Sequence, residues 1–213
     1  MLDGTLPAEA LRGRLPVVEA CEWVPGLAVP RVKIDNRAAA ALAIRHLADL
    51  GHRRIGHVTG PRGNVLTEAR LSGAEAALSD LGIPLSEDAL YIGDFSLDSG
   101  RNAAIAWLAQ PATTRPTALF LASDAMAYSF IAEVQRHGLS VPRDISVVGF
   151  DDIELVAHLS PPLTTIRQPR TEIGRLAAER LLAMLADEIG PEDTVLPVEL
   201  IIRSSTASPR DWG

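Results

Sequence analysis

The stretch Ile145-Ser-Val-Val-Gly-Phe-Asp-Asp152 is the most informative part of this sequence. Its apolar, largely β-branched start is typical of a strand that is buried on both faces of a parallel sheet. The run then stops at a glycine, an aromatic residue and two carboxylates. Because ligands of such sheets bind beyond the carboxyl ends of the strands, the stretch predicts a buried strand that carries Asp151 and Asp152 into a ligand-binding crevice.

Strand and helix patterns alternate along the chain on both sides of this stretch. Four of the five helical patterns are followed by a glycine, which commonly ends a helix: Gly51, Gly82, Gly138 and Gly190. The alternation predicts parallel sheets covered by helices on both faces. Predicted strands are 15–20, 31–34, 54–58, 89–93, 117–122, 145–150, 163–166 and 195–202, and predicted helices are 36–50, 67–81, 96–109, 123–137 and 169–189.

Composition favours an ordinary globular protein. With 213 residues, of which 47% are hydrophobic, the chain can bury a full core. Its apolar runs are much shorter than the roughly 20 residues of a membrane span, and its first residues lack a signal-peptide pattern. We therefore expect a soluble, cytoplasmic protein.

Charge and cysteine content exclude further classes of site. The net charge is −7, and Lys33 is the only lysine. The basic residues are scattered among more numerous carboxylates, so this chain alone should not hold DNA. A single cysteine, Cys21, excludes an internal disulfide and a thiolate cluster for zinc. No cofactor or metal is predicted.

Several motifs carry a resemblance to a known family. Besides the opening stretch, they include Pro161-Pro-Leu-Thr-Thr-Ile-Arg-Gln-Pro169, His57-Val-Thr-Gly-Pro61 and Glu68-Ala-Arg-Leu-Ser-Gly73. In this order and spacing the chain resembles the effector-binding domain of the lactose-repressor (LacI/GalR) family of bacterial transcription regulators. The stretches that look closest to its cytidine-repressor branch are Glu19-Ala-Cys-Glu22, Gly93-Asp-Phe95 and Pro169-Arg-Thr-Glu-Ile-Gly174.

The resemblance implies a periplasmic-binding-protein-like α/β fold with two doubly wound parallel-sheet lobes, the first of them incomplete. Residues Met1–Pro7 read like the end of a strand running into a turn. The DNA-binding head and the opening units of the first lobe would then have no counterpart in the chain. The implied division is 1–35 and 168–196 for the remnant of the N-terminal lobe, 36–167 and 197–205 for the C-terminal lobe, and 206–213 for a tail.

Arg70 is the first candidate for ligand binding. It lies early in a predicted helix that follows a Gly-Pro loop, so its guanidinium can reach the crevice above the sheet. A planar fork of donors suits a carboxylate, a phosphate or adjacent sugar hydroxyls. The residues alone leave a solvated surface arginine as the alternative. By resemblance, Arg70 is the main ligand anchor.

Asp151 and Asp152 are the second candidate. Successive strand side chains point to opposite faces, so one carboxylate can face the crevice while the other caps the next helix. The resemblance makes Asp151 the ligand-facing residue. A paired-carboxylate hydrolase is the rival interpretation, and the alternation argues against it because adjacent residues seldom converge on one bond.

Five further residues complete the predicted site. Ser123 and Asp124 end a strand and begin a helix, where an N-cap is the alternative role, and the resemblance puts a polar ligand contact at Ser123. Phe95 could stack on a sugar or base, with core packing as the alternative. Cys21 and Glu22 are expected on the opposite wall, although Cys21 is also read as a small buried hydrophobe.

The resemblance implies that a small sugar or nucleoside binds between the lobes and shifts the attached DNA-binding heads between conformations. Operator DNA would be bound only through the head missing from this chain. The family acts as a homodimer, and Tyr128 and Leu159 are assigned to the interface. Here the chain departs from the family, which prefers a bulky aliphatic residue and a glycine where this sequence has Tyr128-Ser129.

Two other functional classes remain as alternatives. A sugar-binding receptor of an ABC-type transport system shares the fold, and a secretion signal would distinguish it. An enzyme on a doubly wound sheet is the third class. The sequence has no Gly-x-Ser-x-Gly motif, its Gly60–Asn64 loop lacks the end of a phosphate loop, and its histidines are not spaced as metal ligands. We therefore predict that the chain is not an enzyme.

Overall fold

The computed structural model describes residues 16–186, 188 and 192–210. Predictions that fall on residues 1–15, on 187, on 189–191 or on 211–213 lie outside the described residues. The helices are α1 Asn36–Asp49, α2 Val65–Asp80, α3 Leu97–Ala109, α4 Asp124–Arg136 and α5 Arg170–Leu185. The strands are β1 Glu19–Ala20, β2 Arg31–Ile34, β3 Ile55–Val58, β4 Leu90–Tyr91, β5 Ala118–Leu121, β6 Ser146–Asp151, β7 Thr164–Arg167, β8 Thr194–Leu196 and β9 Glu199–Ile201.

The strands form two sheets. The larger has six strands in the order β4-β3-β5-β6-β7-β9, and the smaller has three in the order β1-β2-β8. All pairings are parallel except that of β9, which runs antiparallel to β7. The stretch that opened the sequence analysis forms β6, which lies between β5 and β7 inside the larger sheet.

Helices cover both faces of the larger sheet, as the alternation of strands and helices predicts. On one face Ala118 and Phe120 of β5 pack into the cluster that contains the apolar sides of α1 and α2. On the other face Leu119 and Leu121 pack with α3 and α4. Because neighbouring strand residues point to opposite faces, one apolar strand supplies both cores. Of the described helices, none is long and apolar enough to cross a membrane.

One predicted strand is wrong in its extent. The run 195–202 is divided into β8, which pairs with β2 of the smaller sheet, and β9, which pairs with β7 of the larger one. Pro197 lies between them and has no N–H to donate to a ladder, so the strand cannot continue through it.

Over the residues that the structure describes, the chain crosses between the two sheets three times. The first passage is Asp35, between β2 and α1; the second is Gln168–Pro169, between β7 and α5; and the third is Pro197–Val198, between β8 and β9. These passages lie near the carboxyl ends of the strands that they leave. The edge of the larger sheet that carries Asp151 therefore faces the smaller sheet.

Candidate functional site

A cavity of about 270 Å³ lies between the two sheets. Its wall on the smaller sheet's side comes from the loop that follows β1, and the opposite wall comes from α2, from the start of α4 and from the end of β6. Its lining residues are Cys21, Glu22, Leu66, Arg70, Phe95, Ser123, Ala125, Asp151 and Gln168.

The cavity gathers most of the residues that the sequence singled out. Those that line it are Arg70, Asp151, Phe95, Ser123, Cys21 and Glu22, whereas Asp124 does not. The sequence analysis missed Leu66, Ala125 and Gln168. Gln168 belongs to the motif Pro161–Pro169, but the motif gives no sign of its role. Its side chain reaches the cavity because the chain passes from one sheet to the other at this residue.

Arg70 is buried, with 4% of its surface exposed, so the alternative of a solvated surface arginine is excluded. Its Nε donates to Asn36 Oδ1 at 2.9 Å and its Nη1 donates to the carbonyl of Ala122 at 2.6 Å. The guanidinium lies 3.6 Å from the centre of the Phe150 ring and 5.9 Å from that of Phe95. These contacts hold the guanidinium in one orientation at the cavity wall.

The charges of Arg70 and Asp151 attract each other, but each side chain makes its hydrogen bonds with other residues. Burial lowers the pKa of Arg70 to about 10, against the attraction of Asp151. Burial also raises the pKa of Asp151, and the charge of Arg70 opposes this rise. The Asp151 carboxylate accepts a hydrogen bond from Gln168 Nε2 at 2.6 Å. A fixed donor group and a fixed acceptor group are therefore presented to the same cavity.

Backbone conformation sets the direction of three lining side chains. Cys21, Phe95 and Asp151 have φ values of 67°, 68° and 121°, in the region that ordinary residues avoid. The Phe95 ring is also held by Gly60, where an added Cβ would lie 2.1 Å from a ring carbon. Such conformations persist only where the surroundings impose them, and they concentrate at ligand sites.

Glu22 and Asn64 link the two walls of the cavity. Asn64 caps α2, because its Oδ1 accepts from the backbone N–H groups of Leu66 at 2.9 Å and Thr67 at 3.2 Å. Its Nδ2 donates to Glu22 Oε1, on the side of the smaller sheet. The residue that orients the first turn of α2, and hence Arg70, therefore also contacts the opposite wall.

Ser123 and Asp124 occupy different positions. Ser123 lines the cavity and also caps α4, since its hydroxyl accepts from Met126 N at 3.3 Å. Asp124 lies behind the wall, where its carboxylate accepts from Thr165 Oγ1 at 2.6 Å and from Ile153 N at 2.9 Å. Burial raises the pKa of Asp124 to about 7, against these two hydrogen bonds.

The prediction that one of the two adjacent aspartates caps the next helix is wrong. The turn of 3-10 helix after β6 begins at Glu154, with no side-chain cap. Asp152 instead binds arginines, accepting from Arg167 Nε at 2.6 Å and from Arg203 Nη2 at 2.7 Å. Asp152 has a φ of 53°, which follows the positive φ of Asp151, so the simple alternation of an extended strand ends there.

His57 lies in the core beneath this site. It is fully buried, its Nδ1 donates to the carbonyl of Phe120 at 2.9 Å, and its ring stacks on that of Phe120. Burial lowers the pKa of His57 to about 4, so it stays neutral beside the cationic Arg70. Within the described part of the chain, no three His, Cys, Asp or Glu side chains are placed to hold a metal ion.

Comparison with known proteins agrees with this geometry. The family described as periplasmic binding protein-like domain matches residues 44–206. The HTH-type transcriptional repressor CytR of Escherichia coli K12 is 41% identical over 211 residues, which cover 97% of this chain and 61% of the repressor. A LacI family transcriptional regulator from Mycobacterium smegmatis superimposes with a TM-score of 0.85 at 29% identity, over 92% of this chain and 72% of that chain.

The chain belongs to the LacI family. Its periplasmic-binding-protein-like fold and its likeness to the effector-binding domain of that family, both predicted from sequence, are confirmed. A LacI family regulator from Enterococcus faecium with bound ribose is 31% identical, with a TM-score of 0.78 over 85% of this chain and 66% of that chain. This LacI family chain spans about three fifths, 61%, of the length of the CytR repressor that it matches.

Proposed function

We propose that this chain is the effector-binding part of a LacI-type transcriptional regulator, and that the cavity between the two sheets binds a small sugar or nucleoside. The observation that carries the proposal is the convergence of Arg70, Asp151 and Phe95 on one cavity whose far wall is formed by Cys21 and Glu22. Control of operator DNA in the bacterial cytoplasm is proposed for the whole protein and not for these residues alone.

The charges at the cavity favour an uncharged ligand. Two carboxylates, Glu22 and Asp151, line the cavity together with one guanidinium, that of Arg70. Two nitrogens of this guanidinium, Nε and Nη1, already donate to Asn36 and to the carbonyl of Ala122. A phosphate ester would bring two further negative charges to this wall, whereas the hydroxyls of a sugar can both donate to Asp151 and accept from Arg70. The flat face of Phe95 suits a stacked base, so we favour a nucleoside over a pyranose.

The alternatives have less support. A transport receptor shares the fold, but CytR and the other matched proteins named above are regulators. An enzyme needs a positioned nucleophile or an acid and base pair, and the two carboxylates that line the cavity, Asp151 and Glu22, already accept hydrogen bonds from the amides of Gln168 and Asn64. We therefore propose binding without turnover.

A thermal-shift panel on the 213-residue chain tests the proposal. The compounds are cytidine, uridine, adenosine, ribose, glucose and inorganic phosphate. A ligand at 100 times its dissociation constant adds about 2.7 kcal/mol to the free energy of unfolding, which is readily measured. We expect at least one nucleoside or ribose to raise the melting temperature and phosphate to have no effect.

Substitutions locate the binding. Arg70→Met and Asp151→Asn should each weaken binding of the active compound by about 2 to 4 kcal/mol, because each removes a hydrogen bond to a charged side chain and leaves a ligand hydroxyl without that partner in the cavity. Arg62→Met is the matched control, since Arg62 is exposed on the loop that precedes α2 and does not line the cavity. Unchanged calorimetric affinity in both cavity variants would rule out this site, and a response to glucose alone would rule out the nucleoside preference.

We also propose the two-lobe division implied by the resemblance, with 36–167 and 197–205 in one lobe and 1–35 and 168–196 in the other. Membership of the larger and smaller sheets supports this division over the described residues.

The proposed homodimer would use the α3 and α4 side of the larger lobe. Tyr128 is 39% exposed on α4, and Leu159 is half-buried against the core that α3 and α4 share. Light scattering of the chain and of Tyr128→Asp tests the dimer, and equal masses for the two would exclude Tyr128 from the interface.

A further inference from the structure

Asp152 is next to the cavity residue Asp151 but its side chain belongs to a different network. Its Oδ2 accepts from Arg167 Nε at 2.6 Å, and its Oδ1 accepts from Arg203 Nη2 at 2.7 Å. Its backbone carbonyl accepts from Arg170 Nη2 at 3.2 Å. Only 8% of the Asp152 side chain is exposed, so its carboxylate is shielded from solvent, although the Arg167 side chain is 47% exposed.

The partners of Asp152 flank the passages between the sheets. Arg167 and Arg170 stand on either side of the second passage, Gln168–Pro169. Arg167 also donates from Nη1 to Glu199 Oε2 at 3.2 Å, and Glu199 is the first residue after the third passage. Arg167 therefore connects the carboxylate of Asp152, which directly follows β6, to the second and third passages between the sheets.

The second passage is tied to the cavity as well. Gln168 lines the cavity and donates to Asp151 Oδ1 at 2.6 Å. Arg167 ends β7 and Gln168 begins the passage, and these two consecutive residues bind Asp152, which directly follows β6, and Asp151, which ends it. A ligand that donates hydrogen bonds to Asp151 would bind the same carboxylate as Gln168, whereas the arginine side chains bind Asp152.

We propose that Asp152 is a positioning residue that fixes the second and third passages to the Asp151 wall of the cavity, so that a change at the cavity moves both passages together. This inference rests on the proposed function of the cavity as a ligand site. Asp152 itself does not touch the ligand. Asp152 acts through Arg167. Its ion pair with Arg203, which follows β9, holds the Asp152 carboxylate in place.

Hydrogen exchange of the 213-residue chain without ligand tests the connection directly. Asp152→Asn should raise amide exchange about tenfold in both segments, 166–172 and 196–201, because the charge that joins them is removed. Glu199→Gln is the matched control, since it removes only the link from Arg167 to the third passage and should affect 196–201 alone. Exchange in α3 and β5 reports global stability and should not change.

A second variant keeps the test decisive if Asp152→Asn destabilises the whole fold. Arg203→Gln removes a partner of the same carboxylate and should loosen the same two segments together. Unchanged exchange in both segments, or a change confined to one of them, would overturn the proposal in either variant. A purely local stabilising residue would not affect the two passages in parallel.

Cytidine and ribose are the probes for the ligand arm. In the unchanged chain a bound probe should slow exchange in both passages. In Asp152→Asn the affinity should stay within about threefold, while the protection of 196–201 should be lost. Full protection in the variant would contradict the coupling. If neither probe binds, the proposed ligands are wrong, and the ligand-free exchange still decides the role of Asp152.

Discussion

At the scale of single residues, the backbone of the site is held in conformations that a plain strand or helix does not supply. The described non-glycine residues with positive φ are Cys21, Phe95, Asp151 and Asp152. Three of them line the cavity, and the fourth holds the passages. Each such conformation costs roughly 1 to 3 kcal/mol. The packed core and the hydrogen bonds around the site offset this cost, which leaves a cavity wall that is set before any ligand arrives.

Asp124 makes the stability of the chain depend on pH. Its pKa in the folded chain, about 7, lies above the ordinary 3.8, because burial disfavours the charged form next to Asp151 and Asp152. The folded state therefore holds this proton between pH 4 and 7 while the unfolded state loses it. Raising the pH through this window should lower the free energy of unfolding, by roughly 2 to 4 kcal/mol in total for a shift of this size.

Asp124→Asn isolates this effect, because an amide does not titrate and can still accept from Ile153 N. Chemical denaturation between pH 4.5 and 8 should show the unchanged chain losing stability relative to the variant as the pH rises. His57 has a lowered pKa and contributes the opposite slope, but it is present in both proteins and cancels. Parallel curves for the two proteins would mean that Asp124 is already ionised at the lower pH.

At the scale of elements, the larger sheet depends on two close helix pairs. An added Cβ at Gly73 of α2 would lie 2.2 Å from the carbonyl oxygen of Arg37 in α1, and one at Gly100 of α3 would lie 2.3 Å from that of Met126 in α4. These glycines allow backbone to pack on backbone. The pairs in turn fix the starts of α2 and α4, from which Arg70 and Ser123 reach the cavity.

Replacing Gly100 by alanine should lower the free energy of unfolding by about 1 to 3 kcal/mol, because the methyl group meets backbone that cannot move aside cheaply. Gly174→Ala is the control, since Gly174 lies in α5 with no atom within 4 Å of an added Cβ. That change should raise stability by about 0.5 to 1 kcal/mol through helix propensity. Urea denaturation measures both, and equal effects would contradict the close packing of α3 on α4.

At the scale of the whole molecule, the two sheets are unequally covered. The larger sheet has helices on both faces, whereas α5, which packs on the smaller sheet, and β8 of that sheet expose large apolar side chains in their described residues. Leu182 and Leu185 of α5 are 65% and 64% exposed, and Val195 of β8 is 53% exposed. Exposed apolar surface of this kind promotes association with other surfaces.

The 213-residue chain alone should therefore bind a hydrophobic dye or associate at higher concentration. The double substitution Leu182→Lys and Leu185→Lys should reduce dye fluorescence without loss of melting temperature, since both side chains are already in solvent. Leu81→Lys, at an exposed position on the larger sheet's side, is the control and should have little effect. A dye-silent monomer before any substitution would contradict this expectation.

The sequence by itself determined the order of the elements and most of the candidate site. Apolar runs such as 145–150 must be buried, and polar residues directly after them fall at the carboxyl edge of a parallel sheet, so Asp151, Ser123 and Phe95 were predictable from local pattern. The family resemblance, carried by motifs in a fixed order, added the prediction that Arg70 is the main ligand anchor. Local signals were sufficient because period and spacing depend on near neighbours in the chain.

Only the tertiary structure decided how residues that are distant in sequence share contacts. In the folded chain Asp124 lies behind the cavity wall and binds Thr165. Asp152 binds Arg167 and Arg203, and Gln168 binds Asp151. The tertiary structure also divided the run 195–202 between two sheets. These outcomes depend on positive φ angles and on passages between sheets, and the partners involved are up to 51 residues apart. No periodicity records such pairings, because they arise only when the sheets have packed.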